Sequence, residues 1–230
     1  MISALLSRPR AMAPLDESLL WSVLLLASIG LVMVYSASIA TAEASKLTGF
    51  QPSYYLVRHA AFLAVGTLIG LAAFQVPMRW WQQAAPYLFL FTVFLLVIVL
   101  IPGIGRMVNG SQRWIRLIGL SFQPSEFAKL AVTLYAADYT VRKVAVMHSF
   151  RKGFLPMFGV MLLAGTLLLL EPDFGAFAVI TLIAMGVLFL GGMRAQLFLR
   201  LAAFLMVSFA LLIWFAPYRI KRITSFLRPW

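Results

Sequence analysis

The 230-residue chain is 63% hydrophobic and only 11% charged, with a mean hydropathy of +0.95. A soluble domain carries about 25% charged residues, so these proportions exclude a water-soluble globule and point to a polytopic membrane protein. The formal charge of +12 would suggest nucleic acid in a soluble protein. In this setting it reads as basic loops that orient helices and meet anionic headgroups. Cysteine is absent, and His59 and His148 stand far apart, so no metal-ligand cluster is visible.

Residues 1–16 form a basic lead with Arg8 and Arg10. The first apolar run, Leu19 to Ile39, is followed by small residues, Ala40-Thr41-Ala42, resembling a cleavage site. It is longer than the ~7–15 residues of a signal-peptide core, and a retained span of ~20 residues is the preferred reading. Thr41 to Ser53 is expected as a loop broken by Gly49 and Pro52, and Tyr54 to Phe74 as the second span. Pro77 to Gln83 reads as a short turn, with Trp80 and Trp81 at the membrane interface. The third span is Ala84 to Ile101, stopped by Pro102, Gly103 and Gly105.

Residues 102–122 are expected as an extracytoplasmic loop. Gln123-Pro124 then opens a fourth span from about Ser125 to Val141, proline being tolerated in the first helical turn. A basic loop, Arg142 to Gly153, leads to a fifth span, Phe154 to Leu170. Glu171-Pro172-Asp173 turns tightly into a sixth, Phe174 to Leu190. Leu197 to Phe215 is the seventh, and residues 217–230 form a basic outer segment. The expected fold is all-α, one transmembrane domain with seven spans. If the N-terminus is cytoplasmic, loop Lys and Arg divide nine inside and nine outside. The tie comes from two clusters, Arg106 to Arg116 and Arg219 to Arg228, which sit on the face where cations are disfavoured.

Those clusters call for an anionic ligand. Arg113 and Arg116 are spaced i, i+3 and would share a face if the segment were helical. Two such guanidiniums can chelate a diphosphate, or they can snorkel beside Trp114 as interfacial anchors. Arg106 is a weaker member of the set. Glu126 and Lys129, also i, i+3, are expected to form a semi-buried ion pair shaping a central cavity, because a membrane-depth lysine needs a partner. As that partner, Glu126 is not read as a general base. Glu171 and Asp173 are read as helix caps rather than metal or acid–base groups. Asp138 and Arg142 are read as a surface pair at i, i+4.

Several stretches in order, GLVMVYSAS (Gly30–Ser38), VNGSQRWI, QPSEFAKL, EPDFG (Glu171–Gly175) and PYRIKRITSFLRPW, resemble the SEDS family of cell-wall polymerases over nearly the whole chain. MVYSAS and RITSFLRPW tilt the resemblance toward its cell-division branch rather than its rod-elongation branch. The resemblance implies a ten-helix peptidoglycan glycosyltransferase of the bacterial cytoplasmic (inner) membrane, at the division septum. It would polymerise lipid II, the undecaprenyl-diphosphate-linked precursor, with a class B transpeptidase and other division proteins as partners. It also implies a catalytic Asp in the loop after the seventh helix, expected beyond Trp230, so that this chain is a truncated form lacking the catalytic loop. Substrate contacts fall to Arg106, Arg113, Trp114, Arg116, Glu126 and Lys129. No cofactor motif or metal site is visible, although a divalent cation such as Mg fits a diphosphate substrate. Membrane lipids are expected partners and nucleic acid is not. The rival readings are a lipid II transporter and a non-catalytic scaffold that recruits the transpeptidase.

Overall fold

A computed structural model describes residues 16–108, 111–117 and 120–215. The chain divides into two compact units at Val76/Pro77. The first holds α1 (Glu17–Ala44) and α2 (Tyr54–Phe74). Asp16 caps α1, its carboxylate accepting from the backbone N–H groups of Ser18 and Leu19 at 2.9 and 3.2 Å. A bond from the Ser18 hydroxyl, with these two, holds its pKa below the ordinary carboxylate value. The helix runs on through Ala44, past the expected end at Ile39, because residues 40–44 are alanines, a threonine and a glutamate that fit a helix. It stops at Ser45, and Gly49 takes up the left-handed backbone of the turn that follows. Within α2 no residue is buried.

In the second unit, α3 spans Met78–Leu100. The expected turn over Pro77–Gln83 is therefore corrected. Pro77 caps the helix, and Arg79, Trp80 and Trp81 already lie in its first turns. Proline is compatible with a helix start, and nothing after it breaks the helix until the interior Pro86. Next come β1 (Gly105–Val108), β2 (Ser111–Leu117) and β3 (Leu120–Phe122), an antiparallel sheet in the order β1-β2-β3. The loop thus adds a small sheet to an otherwise helical membrane fold. Its β-branched and aromatic residues, Val108, Trp114, Ile115 and Phe122, suit strands.

Helix α4 (Pro124–Arg142) starts with Pro124 in its first turn, as expected. A π-helical turn over Phe150–Phe154 runs into α5 (Leu155–Leu170). Helix α6 (Phe174–Leu190) has the expected bounds, and α7 is Ala195–Trp214. Five segments are long and apolar enough to cross a membrane: α1, α2, α3, Phe150–Leu170 and α7. Helix α6 is apolar but shorter. Helix α4 interrupts its apolar run with Glu126, Lys129 and Asp138.

The core of the second unit gathers around α4 and α6. Ala128, Val132 and Ala136 of α4 are fully buried, as are Ala184 and Leu188 of α6, with Met157, Ala164 and Leu168 of α5. Small residues let the helix axes approach where lipid supplies no hydrophobic drive between them. At Gly165 a side chain would stand 2.5 Å from the Phe177 ring, so only glycine allows α5 to close on α6.

Candidate functional site

The sheet lies at one end of the second unit, where α3 and α5 finish and α4 and α6 begin. Gly105 is required there: a Cβ would collide with the Val99 carbonyl and would lie within 2.8 Å of the Gln112 side chain. That close approach lets the Gln112 amide donate to the Val99 and Ile101 carbonyls at 3.1 and 3.2 Å. Carbonyls at a helix C-terminus lack an intrahelical partner, so β2 completes the end of α3. On the other side, the Ser111 hydroxyl donates to the Glu171 backbone carbonyl.

Asp173 is the hub of this end. Its Oδ1 accepts from the Ala176 backbone N–H at 3.2 Å, capping α6. Its Oδ2 accepts from the Gln123 amide at 3.0 Å and the Ser125 hydroxyl at 2.9 Å, both at the start of α4. The Arg113 Nη1 stands 3.7 Å from Oδ1. The carboxylate is buried, and four groups from β2, the start of α4 and α6 converge on it. Capping, expected from the sequence, is therefore one of its functions, and it also ties three elements together.

Glu171, two residues earlier, does not cap. It is fully buried, and neither carboxylate oxygen has a hydrogen-bond partner among the described residues. Burial pushes its pKa up to about 8; the neighbouring negative charge of Asp173 adds to this and Arg113 opposes it. At neutral pH it is chiefly a neutral acid.

The strand changes the expected arginine geometry. In a strand successive side chains alternate faces, so Arg113 and Arg116, three apart, point to opposite sides. The same-face pairing expected of a helix is corrected: the segment is β2. Arg113, at an irregularity in the β1–β2 register, turns inward with Ser111 toward the Glu171–Asp173 turn. Arg106 pairs across the sheet with Trp114, and Arg116 lies two residues beyond Trp114. Arg106, Trp114 and Arg116 therefore share a face, and both arginines are exposed. Diagonal neighbours of this kind lie about 7–8 Å apart, within reach of one anion bearing two phosphates. Trp114 lies between them, its indole Nε1 buried without a partner among the described residues. The cation pair on one face is Arg106–Arg116. Sequence spacing along one strand could not reveal it, because it forms across two.

Glu126 and Lys129 form the expected ion pair at 2.7 Å. The lysine side chain is 29% exposed and the glutamate 62%, so the pair is more open than the semi-buried one expected. Asp138 and Arg142 also pair as expected, at 2.7 Å, but the aspartate is buried. Among the described residues no group of three His, Cys, Asp or Glu side chains could hold a metal ion. The basic segment Arg219–Arg228 lies outside the described residues.

As a whole, the site offers two exposed cations on one face of a sheet. A third is tethered inward, and a lysine–glutamate pair stands on the adjoining helix. Guanidinium groups set out in this way have the charge and donor geometry that suit a polyanion. Among the described residues of the site no carboxylate stands free as a base: Asp173 is saturated, Glu171 is sealed, and Glu126 is paired.

Residues 17–230 match the model of a family described as cell cycle protein, which groups FtsW, RodA and SpoVE. The chain is 61% identical over 98% of its length to a probable peptidoglycan glycosyltransferase FtsW of Aromatoleum aromaticum, covering 55% of that protein. It is 51% identical over 95% of its length to a protein of the same description from Burkholderia thailandensis, covering 47% of it. The chain thus spans about half the length of these relatives. Among solved structures, it is similar to a chain from work titled "Structural coordination of polymerization and crosslinking by a peptidoglycan synthase complex" (TM-score 0.63, 26% identity, 87% of this chain and 59% of that one). It is also similar to the rod shape determining protein RodA of Thermus thermophilus (TM-score 0.56, 26% identity, 80% and 58%). With the polytopic helical architecture, a match over residues 17–230 establishes that the chain is a multi-pass membrane protein belonging to the FtsW, RodA and SpoVE family of cell cycle proteins.

Proposed function

We propose that the native-length protein is a peptidoglycan glycosyltransferase that polymerises lipid II during septal wall synthesis. The observation that carries this reading is the exposed Arg106–Arg116 face, in a chain 61% identical to a relative bearing that name. In the reaction, a sugar hydroxyl oxygen attacks the anomeric carbon of a second precursor. The bond from that carbon to the diphosphate oxygen breaks, and undecaprenyl diphosphate leaves. The departing diphosphate needs cationic stabilisation, and the hydroxyl must give its proton to a base. We assign the first task to Arg106 and Arg116, with Lys129 as a further cation. The second falls to the Asp that the family resemblance places after the seventh helix. Arg113 becomes a positioning residue that holds β2 to Asp173. A divalent cation on the diphosphate fits this scheme, and no described side-chain set is assigned to it.

The partner is proposed to be a class B transpeptidase, in keeping with the polymerisation and crosslinking complex of the structural relative, together with other division proteins at the septum.

The test is lipid II polymerisation by the native-length protein with its transpeptidase. For the Arg106→Ala, Arg116→Ala double variant we expect kcat/KM to fall by about 100-fold, the equivalent of two charge-assisted contacts. Unchanged kinetics would remove the diphosphate assignment. Transbilayer movement of labelled precursor without polymerisation would favour a transporter. Full partner binding by a native-length protein with no turnover would favour a scaffold.

A further inference from the structure

At the opposite end of α4 lies a second polar concavity. It is about 780 Å³ and is lined chiefly by Arg79, Gln82 and Gln83 of α3 and by Tyr135, Asp138 and Arg142 of α4. Along α4, Asp138 follows Ser125 by 13 residues, which at ~1.5 Å per residue puts this groove roughly 20 Å from the Asp173 cluster, toward the other membrane face. With the N-terminus inside, that face is cytoplasmic.

The charges of the groove do not balance. Asp138 is matched by Arg142 at 2.7 Å, and the Arg142 guanidinium also lies over the Tyr135 ring at 6.0 Å. Arg79 has no ion pair among the described residues. It also sits in the first turn of α3, where the helix dipole disfavours a cation, and that turn contains no acid to offset it. Donors therefore accumulate: the Arg79 guanidinium and the Gln82 and Gln83 amides. Pro86, in the wall of the groove, lacks the N–H that would engage the Gln82 carbonyl. A concave, donor-rich site with one uncompensated positive charge suits a singly charged phosphate group.

We propose that this groove binds the phosphate group of an anionic phospholipid headgroup in the inner leaflet, with Arg79 as its main charged contact. A phospholipid places a singly charged phosphodiester at the depth of the interfacial Trp80 and Trp81 beside Arg79. The site is separate from the polymerisation site and does not rest on the glycosyltransferase reading.

The test is native mass spectrometry of the native-length protein, titrated with phosphatidylglycerol and, separately, with phosphatidylcholine. We expect preferential retention of phosphatidylglycerol. Its binding should weaken by about tenfold in Arg79→Gln, recover in part in Arg79→Lys, and stay unchanged in Arg194→Gln, a basic residue outside the groove. Displacement of the lipid by millimolar inorganic phosphate in an Arg79-dependent way would keep the phosphate site and name a soluble ligand as its occupant. Equal binding by wild type and Arg79→Gln, or an equal loss in Arg194→Gln, would overturn the proposal. A melting curve for each variant separates these results from misfolding.

Discussion

Near the two ends of α4 lie acids, Asp173 at the cap of α6 and Asp138 on α4 itself, that look alike in sequence and differ in situation. At the sheet end, Asp173 is buried and collects four partners from three elements, so its charge is fully used. At the groove end, Asp138 is also buried but binds one arginine from its own helix, and Arg79 nearby is left uncompensated. A saturated carboxylate fixes structure. A basic group with no acid to pair with is available to a ligand. The same contrast holds within the sheet, where Arg113 is tethered to Asp173 while Arg106 and Arg116 face outward.

The strongest way to break this comparison is Asp173→Ala. It removes the α6 cap and strands Arg113, Gln123 and Ser125 together. We expect a loss of about 3 kcal/mol, visible as a lower midpoint of thermal inactivation, with loss of polymerisation. Asp138→Ala should cost less, since it has one partner. An equal or greater cost at Asp138 would show that partner number does not set the difference.

Glu171→Gln sharpens the comparison through pH. Folding raises the pKa of this acid from 4.5 to about 8, so the folded state holds a proton that the unfolded state releases. Between these values wild-type stability falls as pH rises, and above about 8 the penalty is complete. Gln cannot ionise. The variant should match wild type near pH 4.5 and gain on it steadily to pH 8, by up to a few kcal/mol, in melting curves across that range. A difference independent of pH would place the ionisation of Glu171 elsewhere.

The smallest effect on stability is expected from exchanging Glu126 and Lys129. Their pair is partly exposed and within one helix, so Glu126→Lys with Lys129→Glu should change stability by only about 0.5 kcal/mol. Polymerisation should still fall, because the cation moves by one helical turn. A double variant no more active than either single one would argue against a simple pair, whereas partial recovery would show that pairing itself contributes.

Much of the helical frame was legible in the sequence. Apolar run length marked each helix, Pro124 marked the start of α4, and EPD marked the turn into α6. The Glu126–Lys129 and Asp138–Arg142 pairs were legible too, because helical spacing alone brings such residues together. The start of α3 was misjudged because a Trp-rich, polar first turn at a membrane interface looks like a loop. The 102–122 segment hid its strands, since short strands without strict alternation leave little periodic signal.

By itself, then, the sequence determined that the chain lies in a membrane, roughly where its helices run, which charges pair within a helix, and its kinship. These depend on hydropathy and on neighbours along the chain. The tertiary structure decided which arginines share a face, that Asp173 joins β2, α4 and α6, that Glu171 is sealed from solvent, and that Arg79 meets Arg142 across a groove. Each of these requires residues from separate elements to meet. Such distances are set by packing and strand register, which no local pattern along the chain encodes.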